Sequence, residues 1–195
     1  MVTADQRASR RGADRVAELL PRLQGRFPTV LAFERTAGDE FQGLLDDAAV
    51  VVDLALLLVR EDGWSVGIGA GPVQVPLPAS TRAAAGPAFL SARRAVDAAK
   101  HRPSRIAVRG SSVADAGDAQ AVLGALAVIV DRRSEPAWEA IAHVAGGRTQ
   151  AQAAADLGVS RQAVGQRLAA GQWELEQELR PTAARLLARA AGEAA

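Results

Sequence analysis

The segment from Thr149 to Leu168 limits the fold of this chain more than any other stretch. It reads as a helix, a tight turn and a second helix. The Thr149 hydroxyl can cap the first helix. Ala153 and Leu157 then share one face, since residues four apart stack along a helix. Gly158 stands where the chain must turn sharply, because glycine takes positive φ without strain. Ser160 can cap the second helix, and Val164 and Leu168 repeat the four-residue spacing. Alanines at the crossing let the two backbones approach. The pattern predicts a helix-turn-helix, whose second helix is shaped to enter the major groove of DNA.

The face left exposed has the chemistry that groove requires. Gln162, Gly165, Gln166 and Ala169 form a stripe at i, i+3, i+4 and i+7, with Arg161 and Arg167 beside it. Glutamine can bond adenine through two hydrogen bonds, and arginine can do the same with guanine or hold a phosphate. Gly165 has no side chain to keep the helix off the bases. The expected DNA contacts are therefore Thr149, Gln150, Ser160, Arg161, Gln162, Gly165, Gln166 and Arg167. The plainer alternative is a helical hairpin whose polar face is merely solvated. Residues 136–174 resemble the helix-turn-helix segments of bacterial regulators.

The chain has 195 residues, 49% of them apolar, enough for one large or two small domains with a sizeable core. It contains no cysteine, which excludes disulfides and thiolate metal sites and favours an intracellular setting. His101 and His143 are far apart and read as surface or helix-end residues. The N-terminus lacks the apolar run of a signal peptide. The most apolar run, Ala48 to Val59, is too short to span a bilayer and contains Asp53. The expectation is a cytoplasmic protein without a membrane partner. The net charge is only +1, so DNA binding must rest on local placement of arginine.

Strands are predicted over 2–6, 28–36, 41–45, 64–71 and 104–109, and helices over 14–24, 46–59, 87–100 and 118–132. A basic loop, Arg7-Ala-Ser-Arg-Arg-Gly, reads as solvated. Residues 73–80 are interrupted by prolines and read as an edge or a loop. Pro136 starts the next helix. A last helix begins near Gln172 and is interrupted or restarted at Pro181. The order β-α-β-β-α-β-α-β predicts an α+β fold, with a ferredoxin-like sheet domain over 1–112. A connecting helix follows over 113–134, and an all-α helix-turn-helix domain over 135–195. Trp138 and Trp173 are expected to fill the small C-terminal core. The apolar helices at 48–59 and 118–132 exceed what a small sheet needs, so one is expected to extend a dimer interface.

Three motifs of the first domain belong together: Ala4-Asp5, Arg35-Thr-Ala-Gly-Asp-Glu-Phe41, and Val66-Gly-Ile-Gly-Ala-Gly-Pro-Val73 followed by Gly86-Pro-Ala-Phe-Leu-Ser-Ala-Arg-Arg94. In order and spacing they resemble class III nucleotide cyclases and GGDEF domains. That resemblance implies a nucleotide-cyclase-type sheet, and two metal-binding aspartates at Asp5 and Asp39. Mg²⁺ with a nucleotide would be held there through hard oxygen ligands. It also places Arg94 at the phosphate-stabilising arginine and Arg35 where a base-selecting lysine stands. The pattern breaks elsewhere. Leu90 replaces the asparagine that positions the ribose. Ala83-Ala-Ala-Gly86 lacks the base-selecting acid, and Ala37 replaces a signature glycine. Asp39 and Glu40 also suit an ordinary hairpin turn.

The quoted motifs, with Ser9-Arg10, Asp14-Arg15 and Gly38-Asp-Glu-Phe-Gln-Gly43, together resemble the SatD family over nearly the whole chain. Its members join a cyclase-like domain to a C-terminal helix-turn-helix. The resemblance implies a cytoplasmic bacterial regulator. The expected function is sequence-specific DNA binding, with the cyclase-like domain serving dimerisation or nucleotide sensing and carrying no catalytic residues. No cofactor is required. The alternatives are a nucleotide-converting enzyme and an adaptor that binds protein through the helix-turn-helix. One such motif contacts few base pairs, so a homodimer on a two-fold duplex site is expected.

Overall fold

Alternation along the first strand sorts the molecule into two unequal faces. In β1 (Val2–Gln6), Val2 and Ala4 enter the main apolar core, so Thr3 and Asp5 point to the other side of the sheet. The structure is a computed structural model that describes residues 1–7, 14–36 and 38–192. The basic-loop residues Arg10 and Arg11, the Ser9-Arg10 motif and Ala37 lie outside the described residues. The fold is α+β, with a five-stranded mixed sheet and eight α-helices among the described residues.

After β1 come α1 (Arg15–Gln24), β2 (Leu31–Arg35), β3 (Glu40–Leu44), α2 (Ala48–Arg60) and β4 (Trp64–Ala70). A short 3-10 turn at Thr81–Ala83 precedes α3 (Pro87–Ala99), β5 (Ile106–Gly110) and α4 (Val113–Asp131). The last helices are α5 (Glu135–Ala145), α6 (Gln150–Leu157), α7 (Arg161–Ala170) and α8 (Trp173–Ala191). The sheet order is β2-β3-β1-β4-β5. β1 runs antiparallel to both β3 and β4, β2 antiparallel to β3, and β5 parallel to β4.

One face of the sheet, carrying Phe33, Phe41, Val66, Ile68 and Ile106, packs into a core with α1, α2, α4 and α8. Capping fixes where these helices start. Asp14, Asp47 and Ser112 accept hydrogen bonds from the first-turn amides of α1, α2 and α4. The opposite face carries α3, laid across β4 and β5. Gly67 and Gly69 permit that close approach. A Cβ at Gly67 would stand 2.2 Å from the Val96 backbone nitrogen, and one at Gly69 2.0 Å from the Ala88 carbonyl oxygen. These two glycines, read as part of a nucleotide motif, serve helix packing.

Two sequence expectations about the helices change. α4 begins at Val113, capped by Ser112, five residues before the helix expected over 118–132. Its Ala116, Ala119, Leu123, Leu126 and Val130 belong to the main core. α8 runs unbroken through Pro181, and Ala183, Leu187 and Ala190 insert into that same core. Packing of the second half outweighs the local cost of proline, whose ring lies on an exposed position. Finally, α8 packs against both α2 and α4. Much of the apolar surplus expected to extend a dimer interface is thereby covered within the chain. By length and composition α4 could cross a membrane, with a mean hydropathy of 1.6 in its most apolar window. Here its apolar side packs against β5 and α8.

Candidate nucleic-acid interface

The second unit, α5 to α7, closes over a small core of Ala140, Ile141, Ala153, Ala154, Val164 and Leu168. Trp138, Leu157, Val159 and Trp173 pack around it. Short-range chemistry sets each end. Thr149 and Gln152 form a reciprocal capping box on α6, with the Gln152 amide donating to Thr149 Oγ1 at 3.2 Å. Gly158 ends α6 in the left-handed region, φ 65°, as the turn requires. Ser160 Oγ accepts from the Ala163 amide at 3.1 Å and starts α7. Thr149 and Ser160 are therefore occupied as helix caps.

On the outer side, Gln150, Arg161, Gln162, Gly165, Gln166 and Ala169 line one shallow depression. Their polar side chains make no hydrogen bond or ion pair within the described residues. A Cβ at Gly165 would meet only Gln150 Oε1, at 3.7 Å, so the bare backbone there is not demanded by packing. Arg167 lies off the stripe. It is half-buried and pairs with Glu139 of α5 at 3.3 Å, which pins α7 to α5. Arg148, on the loop before α6, pairs with Asp156 at 3.5 Å, and His143 lies 3.4 Å from the same carboxylate. Among the described residues, Arg148 and Arg167 are thus matched by carboxylates of this unit, while Arg161 faces outward with three glutamines.

The joint between the two units is ionic and buried, and the sequence pattern gave no sign of it. Arg133, between α4 and α5, and Glu176 of α8 form a salt bridge with both side chains 1% exposed. Arg133 Nε also donates to the Gly171 carbonyl at 2.7 Å, and its guanidinium lies over Trp138 at 4.8 Å. Arg180 joins Glu176 to Asp53 of α2. Trp138 packs against the main core and the small one alike. A buried pair of this kind adds little net stability, but its geometry holds α5 at a set angle to the sheet unit.

The aspartates of the sheet unit are arranged differently. Asp5 lies in register with Glu40 across β1 and β3, on the face shared with α3. Lys100 Nζ stands 2.8 Å from Asp5, and Arg93 reaches both Glu40 oxygens at 3.0 and 3.1 Å. The hydrogen bond and charge of Asp5 raise the Lys100 pKa above its usual value. Thr36 Oγ1 also donates to Glu40, at 2.6 Å. Asp39 lies in the turn, where its carbonyl accepts the Gln6 amide at 2.8 Å. Arg35 pairs with Asp14 at the α1 N-terminus, which holds that carboxyl below the usual range.

Arg94 is exposed, and its neighbour Arg93 is the arginine that reaches the carboxylate. The four expected remnant residues, Asp5, Asp39, Arg35 and Arg94, are thus given different structural settings. Asp5 and Glu40 each carry a side-chain cation, Lys100 and Arg93, while Asp39, the other expected metal ligand, lies in the hairpin turn. A comparison with known families, curated proteins and solved structures finds no match.

Proposed function

We propose that the chain is a DNA-binding regulator that reads duplex DNA through α7. The observation that carries this reading is the outward stripe of Gln150, Arg161, Gln162 and Gln166 around a bare Gly165, unpaired among the described residues. These side chains have the donors and acceptors that base edges present in the major groove. The capped α6-turn-α7 arrangement gives the stripe a rigid support.

The first four strands and their helices support a ferredoxin-like, cyclase-type reading of the sheet unit: in the order β4-β1-β3-β2, every neighbouring pair is antiparallel. In this proposal that unit is a scaffold and dimerisation element without catalytic residues. The ion pairs of Asp5 and Glu40 favour it over a nucleotide-converting enzyme. The proposed working form is a homodimer on a two-fold site in the cytoplasm, with no membrane partner.

Selection from a random duplex library by the intact protein tests the reading. The expected result is an enriched motif whose affinity falls steeply with salt. Truncation is unsuitable, because removing α8 would strip Ala183, Leu187 and Ala190 from the main core. Arg161→Ala and Gln162→Ala replace it. Failure to enrich any sequence, or a motif unchanged in both variants, would overturn the assignment.

A further inference from the structure

We propose that the cleft between α2, α8 and α5 binds a small amphiphilic anion, a carboxylate or phosphate carried on an apolar body. The cleft measures about 300 Å³, the lower end of small-molecule sites, which run from ~300 to ~1,000 Å³. Its apolar lining includes Phe27, Leu56, Leu57 and Val130. Leu56 and Phe27 are buried, so this surface is fixed by the main core.

The charge on its walls is unbalanced. Asp53, the acid that lines the cleft, is already matched by Arg180. Arg26 and Arg60 also line it and have no carboxylate partner among the described residues. Each instead rests on an aromatic ring. The Arg60 guanidinium lies 4.2 Å from the Trp138 ring centre, and that of Arg26 lies 5.5 Å from the Phe27 ring centre. Stacking restrains the guanidinium while leaving its N–H groups available. A restrained guanidinium can take a carboxylate or phosphate through two hydrogen bonds, with less ordering cost than a free side chain.

A DNA backbone is the other anion to weigh. Trp138 packs against the small core that contains Val164 and Leu168. Those residues form the inner face of α7, whereas the outward stripe holds Gln162 and Gln166. The cleft and the proposed reading stripe share no lining residue, and a concave site suits a small ligand. Neither the cleft nor its ligand depends on DNA being the partner of α7.

Titration of the intact protein with phenyl phosphate, benzoate, inorganic phosphate and benzyl alcohol tests this. Tryptophan fluorescence and the thermal midpoint report binding. Phenyl phosphate or benzoate is expected to bind, and which is tighter names the headgroup. Benzyl alcohol and inorganic phosphate are expected to bind at least tenfold more weakly, since each lacks one half of the ligand. Arg26→Gln and Arg60→Gln, each checked for folding by circular dichroism, are expected to weaken binding about tenfold, the loss of one charged hydrogen bond. No binding of either organic anion would overturn the proposal. So would equal binding of benzyl alcohol or inorganic phosphate, or affinity unchanged in both variants. A fall in duplex affinity in both variants without added anion would assign the arginines to DNA instead.

Discussion

The outward face of α7 and the α3 face of the sheet both collect charged and polar side chains, yet the chain treats them oppositely. On the sheet, Asp5 and Glu40 are answered by Lys100 and Arg93 from α3 and the turn that follows it. On α7, Arg161 and its neighbouring glutamines are answered by nothing in the described chain. Polar groups kept unpaired are groups available to a partner, while matched groups have given that capacity up to the fold. Residue type alone, aspartate in one place and arginine in the other, does not make this distinction. What decides is whether a neighbouring element supplies the opposite charge.

The largest expected effect is at the joint that holds the two regions together. Glu176→Ala leaves Arg133 buried without its carboxylate, so a loss of about 3–5 kcal/mol is expected in chemical denaturation. Replacing Arg133 and Glu176 together with methionine and leucine should recover much of it. If the single substitution costs no more than a surface change, the joint is not a buried ion pair in solution.

Two glycines sharpen the comparison next. Gly69→Ala sets a Cβ 2.0 Å from a backbone oxygen of α3, an overpacking expected to cost ~3 kcal/mol. Gly165→Ala meets only a glutamine side chain at 3.7 Å. It should stabilise the fold by up to ~1 kcal/mol, since glycine is a poor residue inside a helix. The same methyl group stands on the reading stripe and should weaken duplex binding. A thermal midpoint that rises while DNA affinity falls is the expected signature. Rising stability with unchanged affinity would remove Gly165 from the interface.

Arg161→Ala and Gln162→Ala should each weaken binding to the selected duplex by about 1–3 kcal/mol, if each makes a paired base contact. Arg167→Ala should mainly loosen α7 from Glu139 of α5, a change visible in stability more than in base preference. Fluorescence anisotropy on matched and mismatched duplexes separates these outcomes. A relaxed base preference in Arg167→Ala would return that residue to the reading surface.

These contrasts were only partly legible beforehand. Caps and turn residues act on their immediate neighbours, so Thr149, Gly158 and Ser160 marked α6 and α7 correctly. The strands of the sheet were equally readable, because alternation and glycine turns are local signals. The return of α8 to the main core was not, since Ala183, Leu187 and Ala190 form an apolar spacing that could have packed anywhere. Pro181 pointed the wrong way, because its local penalty is visible in sequence and the packing that outweighs it is not. Arg93 and Arg94 differ by one position, and about 100° of helical rotation decides which reaches Glu40. Lys100 gave no signal either. Its role depends on α3 lying over Gly67 and Gly69 closely enough to bring its end to Asp5.

The smallest effect, and the most direct test of the matched face, is at Lys100. Its side chain is 39% exposed, so Lys100→Ala should cost less than about 1 kcal/mol after solvent screening. Because Asp5 raises the Lys100 pKa, the contribution of this pair is fully present below the usual lysine value of 10.5. It should be lost as pH rises through the raised value. The variant should therefore differ least from the parent at strongly alkaline pH. Removing the cation also leaves Asp5 in register with Glu40 and without its counter-charge. Two carboxylates on adjacent strands are hard oxygen ligands. In Lys100→Ala, and more so with Arg93→Ala added, Mn²⁺ or Mg²⁺ should raise the thermal midpoint, while the parent protein should show no such rise. A parent that binds Mg²⁺ with a nucleotide, and loses that binding in Asp5→Asn, would show that Lys100 yields to the metal. The two faces would then differ in strength of pairing and not in kind.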